Sequence, residues 1–347
     1  MKILHIIDTL NIGGAEKVCL DMITMLLDAG HQADCMVISA KGPLYQKIDI
    51  RANSVFLDRK SKFNLSKMRK CADIASGYDI VHVHMRHTWA YVKLSCLLFR
   101  CTSKLIFHDH FWKIETIKDA TFRLKGLFKP AYYIGVSNDH IEWARQFLRL
   151  SEKNTFLLAN TIIPKNNHSD RYHGDMIMVS NLRSVKNILF GITLGNKLKR
   201  KLTIFGNHDG SSYADEVLEL TKKSEFVRII QNEVDIQQYI SNFNLGIHTS
   251  FSETGPLVLL EYMSQGLPFI TYDTGEVVNK IRVELPSFIA STFDEKEWEK
   301  RISSLDDEIK VNGAALKQKL QYLFNEKFSP QRYLDQCLKI YQSVLTS

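Results

Sequence analysis

Short β-branched runs alternate with longer amphipathic segments along almost the whole chain, and the alternation is played through twice. KILHIID (2–8), QADCMVISA (32–40), DIVHVH (79–84), KLIFHDH (104–110), YYIGVS (132–137) and TFLLAN (155–160) read as strands. Most are nearly continuous apolar runs, the pattern of parallel strands covered on both faces. Helical patterns fall between them, near 15–29, 64–76, 88–100, 115–126 and 138–149. Gly30 closes the first helix as a C′ glycine. A second series follows, with strands DMIMVS (175–180), KLTIFG (201–206), FVRIIQ (226–231), LGIHTS (245–250) and PFITYD (268–273). Its helices are expected near 185–197, 211–222, 235–242, 256–265 and 275–283, and three more end the chain at 294–304, 312–325 and 330–345. Two successive βα series in 347 residues imply an α/β protein of two doubly wound domains. The polar stretch 164–174 is the natural linker. In such sheets ligands bind outside the carboxyl ends of the strands, so a cleft between two facing domains is the expected site.

Composition narrows the classes. A chain 45% hydrophobic and 24% charged is neither collagen-like nor disordered. Six scattered cysteines, with no C-x-x-C pair, fit a reduced cytoplasmic protein better than a disulfide scaffold or a zinc site. Asp8 breaks the apolar run ILHII too early for a cleavable signal. No apolar stretch approaches the ~18–20 residues that span a bilayer, so a soluble or peripheral protein is expected. Residues 1–165 hold 24 Lys/Arg against 15 Asp/Glu, while the remainder holds 21 against 23. The basic half favours an anionic partner.

Four segments can carry chemistry. DTLNIGGAEK (8–17) joins the first strand to its helix; Gly13-Gly14 permits positive φ and close approach, and the helix start offers amides to an anion. It is equally a plain tight turn, and it is not the G-x-G-x-x-G of nicotinamide sites. In SFSETGPLVLLEYMSQGLPFITYDTGE (250–276), Pro256 suits the first helical position and Gly266 the stop. Glu253 then precedes the helix, and Glu261 lies inside an apolar run, where a solvated face is the weaker reading. VSNLRSVKN (179–187) places Arg183 and Lys186 after a strand, able to neutralise a diphosphate or to form ordinary surface charge. IFHDHFW (106–112) ends another strand. Its His108 is expected toward the cleft with Asp109 inward, and His82 and His84 read as core or supporting histidines. A metal reading is poor, because neighbours on one strand alternate faces.

Taken in order, these motifs resemble the retaining glycosyltransferases of family 4, which have the GT-B fold. GGAE (13–16) looks like the family's Gly-Gly loop and His108-Asp109 like its cleft histidine. VSND (136–139) resembles the next turn, and Asn160 the Asn of the linker motif, with Thr161 in place of its Gly. Glu253 and Glu261 match the E-x7-E signature, followed by SQGLP (264–268). FSPQRYLDQCLKIY (328–341) looks like the last helix, which returns to the N-terminal domain. Ser180-Asn181 stand where the family carries Gly-Arg, so Lys186 keeps its role and Arg183 is the substitute for the arginine. TGE (274–276) resembles a shortened Gly-Gly-x-x-Glu stretch.

The resemblance implies two Rossmann-like domains facing a central cleft. Residues 1–163 with 328–347 would bind the acceptor, and 164–327 the donor. It implies transfer of a sugar from a UDP- or GDP-linked donor to an acceptor hydroxyl with retention, in cell-envelope polysaccharide or glycolipid synthesis. No cofactor or metal is expected; Lys186, Arg183 and helix amides would stabilise the leaving diphosphate. Glu261 would hold the ribose and Glu253 the sugar hydroxyls, with Gly14, Thr254, Gly255, Leu257 and Val258 completing the donor site. His108 would orient the donor or stabilise developing charge, beside an acceptor that approaches Gly13 and Gly14. Other readings within this fold are a nucleotide-sugar epimerase, a phosphorylase or a non-catalytic scaffold. The acceptor is expected to be a glycan or lipid-linked glycan. RKSKFNLSKMRK (59–70) and ETIKDATFRLKGLFKP (115–130) resemble interfacial segments for an anionic inner membrane leaflet, or equally a solvated basic face. Nucleic acid is not an expected partner, since no RNA-reading motif accompanies the charge.

Overall fold

A computed structural model describes residues 1–61, 63–111, 122–165 and 168–347. They divide into two compact units, Met1–Ile162 with Pro330–Ser347, and Ile163–Ser329.

The first unit runs β1 (Lys2–Thr9), α1 (Gly14–Asp28), β2 (Gln32–Ala40), β3 (Ser54–Phe56), α2 (Leu65–Ala75), β4 (Ile80–His84), α3 (Arg86–Leu98), β5 (Lys104–Asp109), β6 (Tyr132–Gly135), α4 (Asn138–Phe147) and β7 (Thr155–Leu157). Its strands form one parallel sheet in the order β3-β2-β1-β4-β5-β6-β7. The second unit runs β8 (Met176–Val179), α5 (Ile188–Leu198), β9 (Leu202–Phe205), α6 (Ser212–Lys222), β10 (Val227–Ile230), α7 (Gln237–Ile240), β11 (Leu245–His248), α8 (Leu257–Gln265), β12 (Phe269–Tyr272), α9 (Glu276–Ile281), β13 (Ile289–Ala290) and α10 (Glu295–Phe328). Its parallel sheet has the order β10-β9-β8-β11-β12-β13. The last helix, α11 (Pro330–Leu345), belongs to the first unit.

Local chemistry sets the ends of these elements. Side chains of Asn64, Ser137, Ser211 and Asp294 accept backbone N–H bonds at the starts of α2, α4, α6 and α10. Gly30 (φ +78°) and Gly266 (φ +69°) turn the chain out of α1 and α8 through the left-handed region.

Strand alternation gives the first sheet two different faces. Leu4, Ile6, Val81, Val83, Phe107 and Tyr133 form one core with residues of α2, α3 and α4. The opposite face carries a polar layer. His5 pairs in register with His82, and His84 with His108. Helix α11 brings Tyr341 against this layer, and α1 brings Cys19. Asp109 turns to the other side, where it accepts bonds from Arg86 Nη2 (2.6 Å), Arg86 Nε (3.0 Å) and the Tyr133 hydroxyl (2.9 Å). Burial alone raises this carboxyl, but the guanidinium outweighs it and holds Asp109 below the usual range.

Several elements differ from the sequence expectation. β3 and β13 are three and two residues long, too short to show a period. The patterns at 294–304 and 312–325 are one helix, α10, kinked where Asn312 leaves helical geometry. Pro256 caps α8 from outside, with Leu257 its first residue. Most of the helix expected over 115–126 lies outside the described residues, and its remainder forms single 3₁₀ turns at Phe122–Leu124 and Gly126–Phe128. Gly13 is extended at φ −164° and Gly14 opens α1, so neither uses positive φ. A Cβ at Gly13 would meet only the far end of the Glu16 side chain, at 2.4 Å from Oε2, and that flexible side chain can move aside. All six cysteines are unpaired thiols.

The Arg86–Asp109 pair is fully buried, so removing one charge strands the other. Asp109→Asn is expected to destabilise the first unit by about 3–5 kcal/mol, read as a lower urea midpoint.

Candidate active site

In both sheets the strand order reverses beside the first strand, between β1 and β4 and between β8 and β11. The carboxyl ends flanking such a reversal are where a doubly wound sheet leaves room for a ligand. In the second unit these ends lead into the loops 180–187 and 249–256, which carry Lys186 and Glu253.

Backbone contacts join the two loops. Thr249 Oγ1 donates toward the carbonyls of Lys186 (2.9 Å) and Asn187 (3.0 Å), and Phe251 N–H bonds Val185 O at 2.8 Å. Lys186 ends a 3₁₀ turn, and Asn187 follows it in the left-handed region (φ +49°). Gly206, after β9, lies so close to the first loop that a Cβ would meet Ser180 O at 1.9 Å. The result is a direct ion pair between Lys186 Nζ and Glu253 Oε1.

Glu253 is held from other directions too. His248 Nε2, at the end of β11, is 3.3 Å from the same Oε1, and His248 Nδ1 is 2.9 Å from Thr271 Oγ1 on β12. The Glu253 amide donates to Thr274 Oγ1 at 3.0 Å, and Glu276 N–H bonds Thr254 O at 2.9 Å. Gly275 (φ +88°) sits between these loops; a Cβ there would lie 3.1 Å from Pro256 Cδ and 3.2 Å from Glu253 Cβ. Burial alone raises the Glu253 carboxyl, yet Lys186 and His248 outweigh it and keep the group well below its ordinary 4.5.

The remaining donor-side candidates lie on the same loop as Glu253, on helix α8 that follows it, and at the start of α9. Thr254 and Glu261 are buried, and Glu276 is buried at the start of α9. Leu257 and Val258 open α8, the turn whose amides have no partner within the helix. Gly255 and Pro256 lead into that turn. Arg183 is outside the cluster: its side chain is half-exposed and points to Asp209 at 3.8 Å.

In the first unit, His108 lies in the polar layer of the sheet with no exposed surface. Its Nδ1 is 3.0 Å from His82 Nε2, and His82 Nδ1 is 2.8 Å from the Tyr341 hydroxyl. His108 Nε2 is buried without a hydrogen-bond partner. His5, His84 and His110 form a second chain, with contacts of 3.1 Å from His5 Nδ1 to His84 Nε2 and from His84 Nδ1 to His110 Nε2. The poor metal reading considered neighbours on one strand. Adjacent strands instead bring His82, His84 and His108 to within 4.8 Å of one another at their nitrogens, and likewise His5, Cys19 and His84. The short nitrogen contacts within the layer are accounted for by hydrogen bonds between rings.

Comparison with known proteins bears on this arrangement. The model for "Glycosyltransferase Family 4" matches residues 12–164, and that for "Glycosyl transferases group 1" matches 160–312. The chain belongs to the family 4 glycosyltransferases. The first match contains Gly13, Gly14 and His108, and the second contains Lys186, Glu253 and Glu261. Comparison with curated proteins gave no match. Among solved structures, a glycosyltransferase from Rickettsia africae is 16% identical with TM-score 0.77, covering 100% of this chain and 99% of that one. Anabaena HepE, in complex with UDP and glucose, is 16% identical with TM-score 0.81, covering 99% of this chain and 100% of that one. The glycosyltransferase therefore has the GT-B fold, two Rossmann-like domains with parallel sheets.

Sequence reasoning missed the residues that hold the site residues. His248 and Thr271 around Glu253, and Tyr341 behind His82, were not linked to them, whereas His82 is one of the expected core or supporting histidines. One signal was available, a histidine in the otherwise apolar strand LGIHTS, five residues before Glu253. The basic stretch 59–70 also changes character. Arg59 bonds Asp8 and stacks on Tyr91, and Lys67 bonds Leu57 O. Lys60 and Arg69 pair with Asp58 and Asp73, while Lys62 lies outside the described residues. Among the described residues, no helix is long and apolar enough to cross a membrane.

Because the folded Glu253 carboxyl is depressed, its ionisation stabilises the fold above the ordinary value of 4.5 and ceases to do so as pH falls below it. Glu253→Gln mimics the protonated group. The melting temperatures of the native chain and this variant should differ most near neutrality and converge as the pH is lowered from about 4.5.

Proposed function

We propose that this glycosyltransferase moves a sugar, with retention at the anomeric carbon, from a nucleoside diphosphate sugar to an acceptor hydroxyl without using a metal. The observation that carries the reading is the ion pair between partly exposed Lys186 and buried Glu253 at the strand-order reversal of the second unit. A partly exposed cation close in sequence to a helix start can be reached by a leaving diphosphate, whose charge grows as the glycosidic bond breaks. Lys186 supplies the charge that a divalent ion supplies elsewhere, helped by the amides of Leu257 and Val258 and by Arg183 at the rim. Glu253, ionised and fixed, accepts hydrogen bonds from the donor sugar, and Glu261 from the ribose. Thr254 and Gly255 line the approach to the α8 amides. His108 acts on the sugar and stays neutral, because burial lowers its pKa well below the usual range. An uncharged ring does not repel the positive charge that builds at the anomeric carbon. Gly13 and Gly14 flank the acceptor.

HepE and the TarM structure of S. aureus were solved with UDP, which makes uridine the first base to test. A UDP-sugar is expected to raise the melting temperature by mass action where other nucleotide sugars do not. Glu253→Ala and Lys186→Ala should each lower turnover by about 10²-fold, with activity persisting in chelator. Native turnover in both variants, or loss of activity in chelator restored by a divalent ion, would overturn the assignment.

The acceptor we place in cell-envelope polysaccharide or glycolipid synthesis, at an anionic membrane surface. Phe63 (78% exposed) and Leu65 (64%) project beside Lys60, Arg69 and Lys70, and Leu127 is exposed beside Lys125 and Lys129. Apolar tips among bases suit a lipid headgroup layer. Flotation with phosphatidylglycerol vesicles at low salt should carry the protein upward, and Phe63→Ser with Leu65→Ser should weaken it. Absence of binding at low salt would remove the membrane from the reading.

A further inference from the structure

Tyr341, His82 and His108 form a linear chain of hydrogen bonds inside the first unit, from α11 through β4 to β5. All three side chains are fully buried. Burial holds both imidazoles well below the usual histidine pKa, so each carries one ring proton. A neutral imidazole has one donor and one acceptor nitrogen, so the direction of the first bond fixes every later one.

The phenol decides that direction. Tyr341 has one proton and two neighbours that can take it, His82 Nδ1 and the Cys337 thiol. A neutral sulfur is a weak acceptor and an imidazole nitrogen a strong one. Tyr341 therefore donates to His82 Nδ1. His82 then has its proton on Nε2 and donates to His108 Nδ1. His108 is left with its proton on Nε2, a nitrogen that is buried without a partner.

We propose that Tyr341, acting through His82, is a positioning residue that holds His108 as its Nε2–H tautomer, making the ring a fixed hydrogen-bond donor toward an oxygen of the substrate. In this state His108 cannot accept a proton at Nε2, since its lone pair lies on Nδ1 and is engaged by His82. The ring donates to an oxygen, such as a donor-sugar hydroxyl, and takes no part as a base. Its control comes from a helix that follows the whole second unit in sequence. The inference deepens the proposed function and rests on its assignment of His108 to the sugar.

The test uses full-length protein labelled with ¹⁵N-histidine and long-range proton–nitrogen NMR, with His108 assigned by the signals lost in His108→Gln. The native chain is expected to show the Nε2–H form at His82 and His108. Tyr341→Phe, which removes only the hydroxyl, should abolish the single tautomer at both rings while leaving His248 and the fold unchanged. His82→Gln, whose amide can still donate to His108 Nδ1, should keep His108 in the Nε2–H form. An Nδ1–H His108 in the native chain, or an unaltered His108 in Tyr341→Phe, overturns the relay. UDP release from UDP-glucose separates this from the role of His108. A roughly tenfold fall in kcat at unchanged donor KM in Tyr341→Phe supports both. Native spectra together with undiminished UDP release in His108→Ala would remove His108 from the reaction and leave the relay standing.

Discussion

A buried carboxylate needs a partner, and in the second unit everything around the strand-order reversal serves that need. Glu253 sits where desolvation penalises its charge, and Lys186 and His248 together reverse the penalty. The pair forms only because two loops far apart in sequence are fastened backbone to backbone, through Thr249 and Phe251 on one side and Val185 to Asn187 on the other. A third segment, Thr274 to Glu276, closes behind Glu253, and only a glycine at 275 fits its approach. The charge pair and the loop geometry thus depend on each other. A ligand bringing negative charge to Lys186 would enter a site in which Glu253 still has His248.

The first unit handles polarity differently. Five histidines, His5, His82, His84, His108 and His110, lie in contact on one face of its sheet, ring on ring and nitrogen to nitrogen. Neutral imidazoles can fill an interior in this way because each has one donor and one acceptor nitrogen, so rings in contact satisfy one another, and the nitrogens left without a partner, Nε2 of His5 and of His108, are terminal atoms of the two chains. On the opposite face, Asp109 is ionised and needs the guanidinium of Arg86, which is itself sandwiched against Phe111 and Trp143. His108 and Asp109 are consecutive in sequence, and strand alternation sends them to environments with opposite electrostatic requirements.

Much of this architecture was readable in advance. Strands buried on both faces must be apolar throughout, and helices between them must be amphipathic, so the βα alternation followed directly from the residues. What failed were short elements and exact ends. Three residues of β3 carry no period, a kink at Asn312 looks in sequence like a gap between helices, and Pro256 can stand just outside a helix as readily as in its first turn. The basic stretch 59–70 is less uniform than its composition suggests. Composition counts charges, while Arg59 and Lys67 are drawn inward by Asp8 and the Leu57 carbonyl, partners that composition cannot locate.

The sequence by itself determined the two doubly wound halves and the identities of Glu253, Glu261, Lys186 and His108 as candidates, because periodicity and motif spacing are local properties. Only the tertiary structure decided how those residues are paired. Lys186 and Glu253 are 67 positions apart, and Tyr341 and His82 are 259 apart. Their contacts arise from sheet order, parallel register and the return of the last helix, and so do the charge of the carboxylate and the neutrality of the ring.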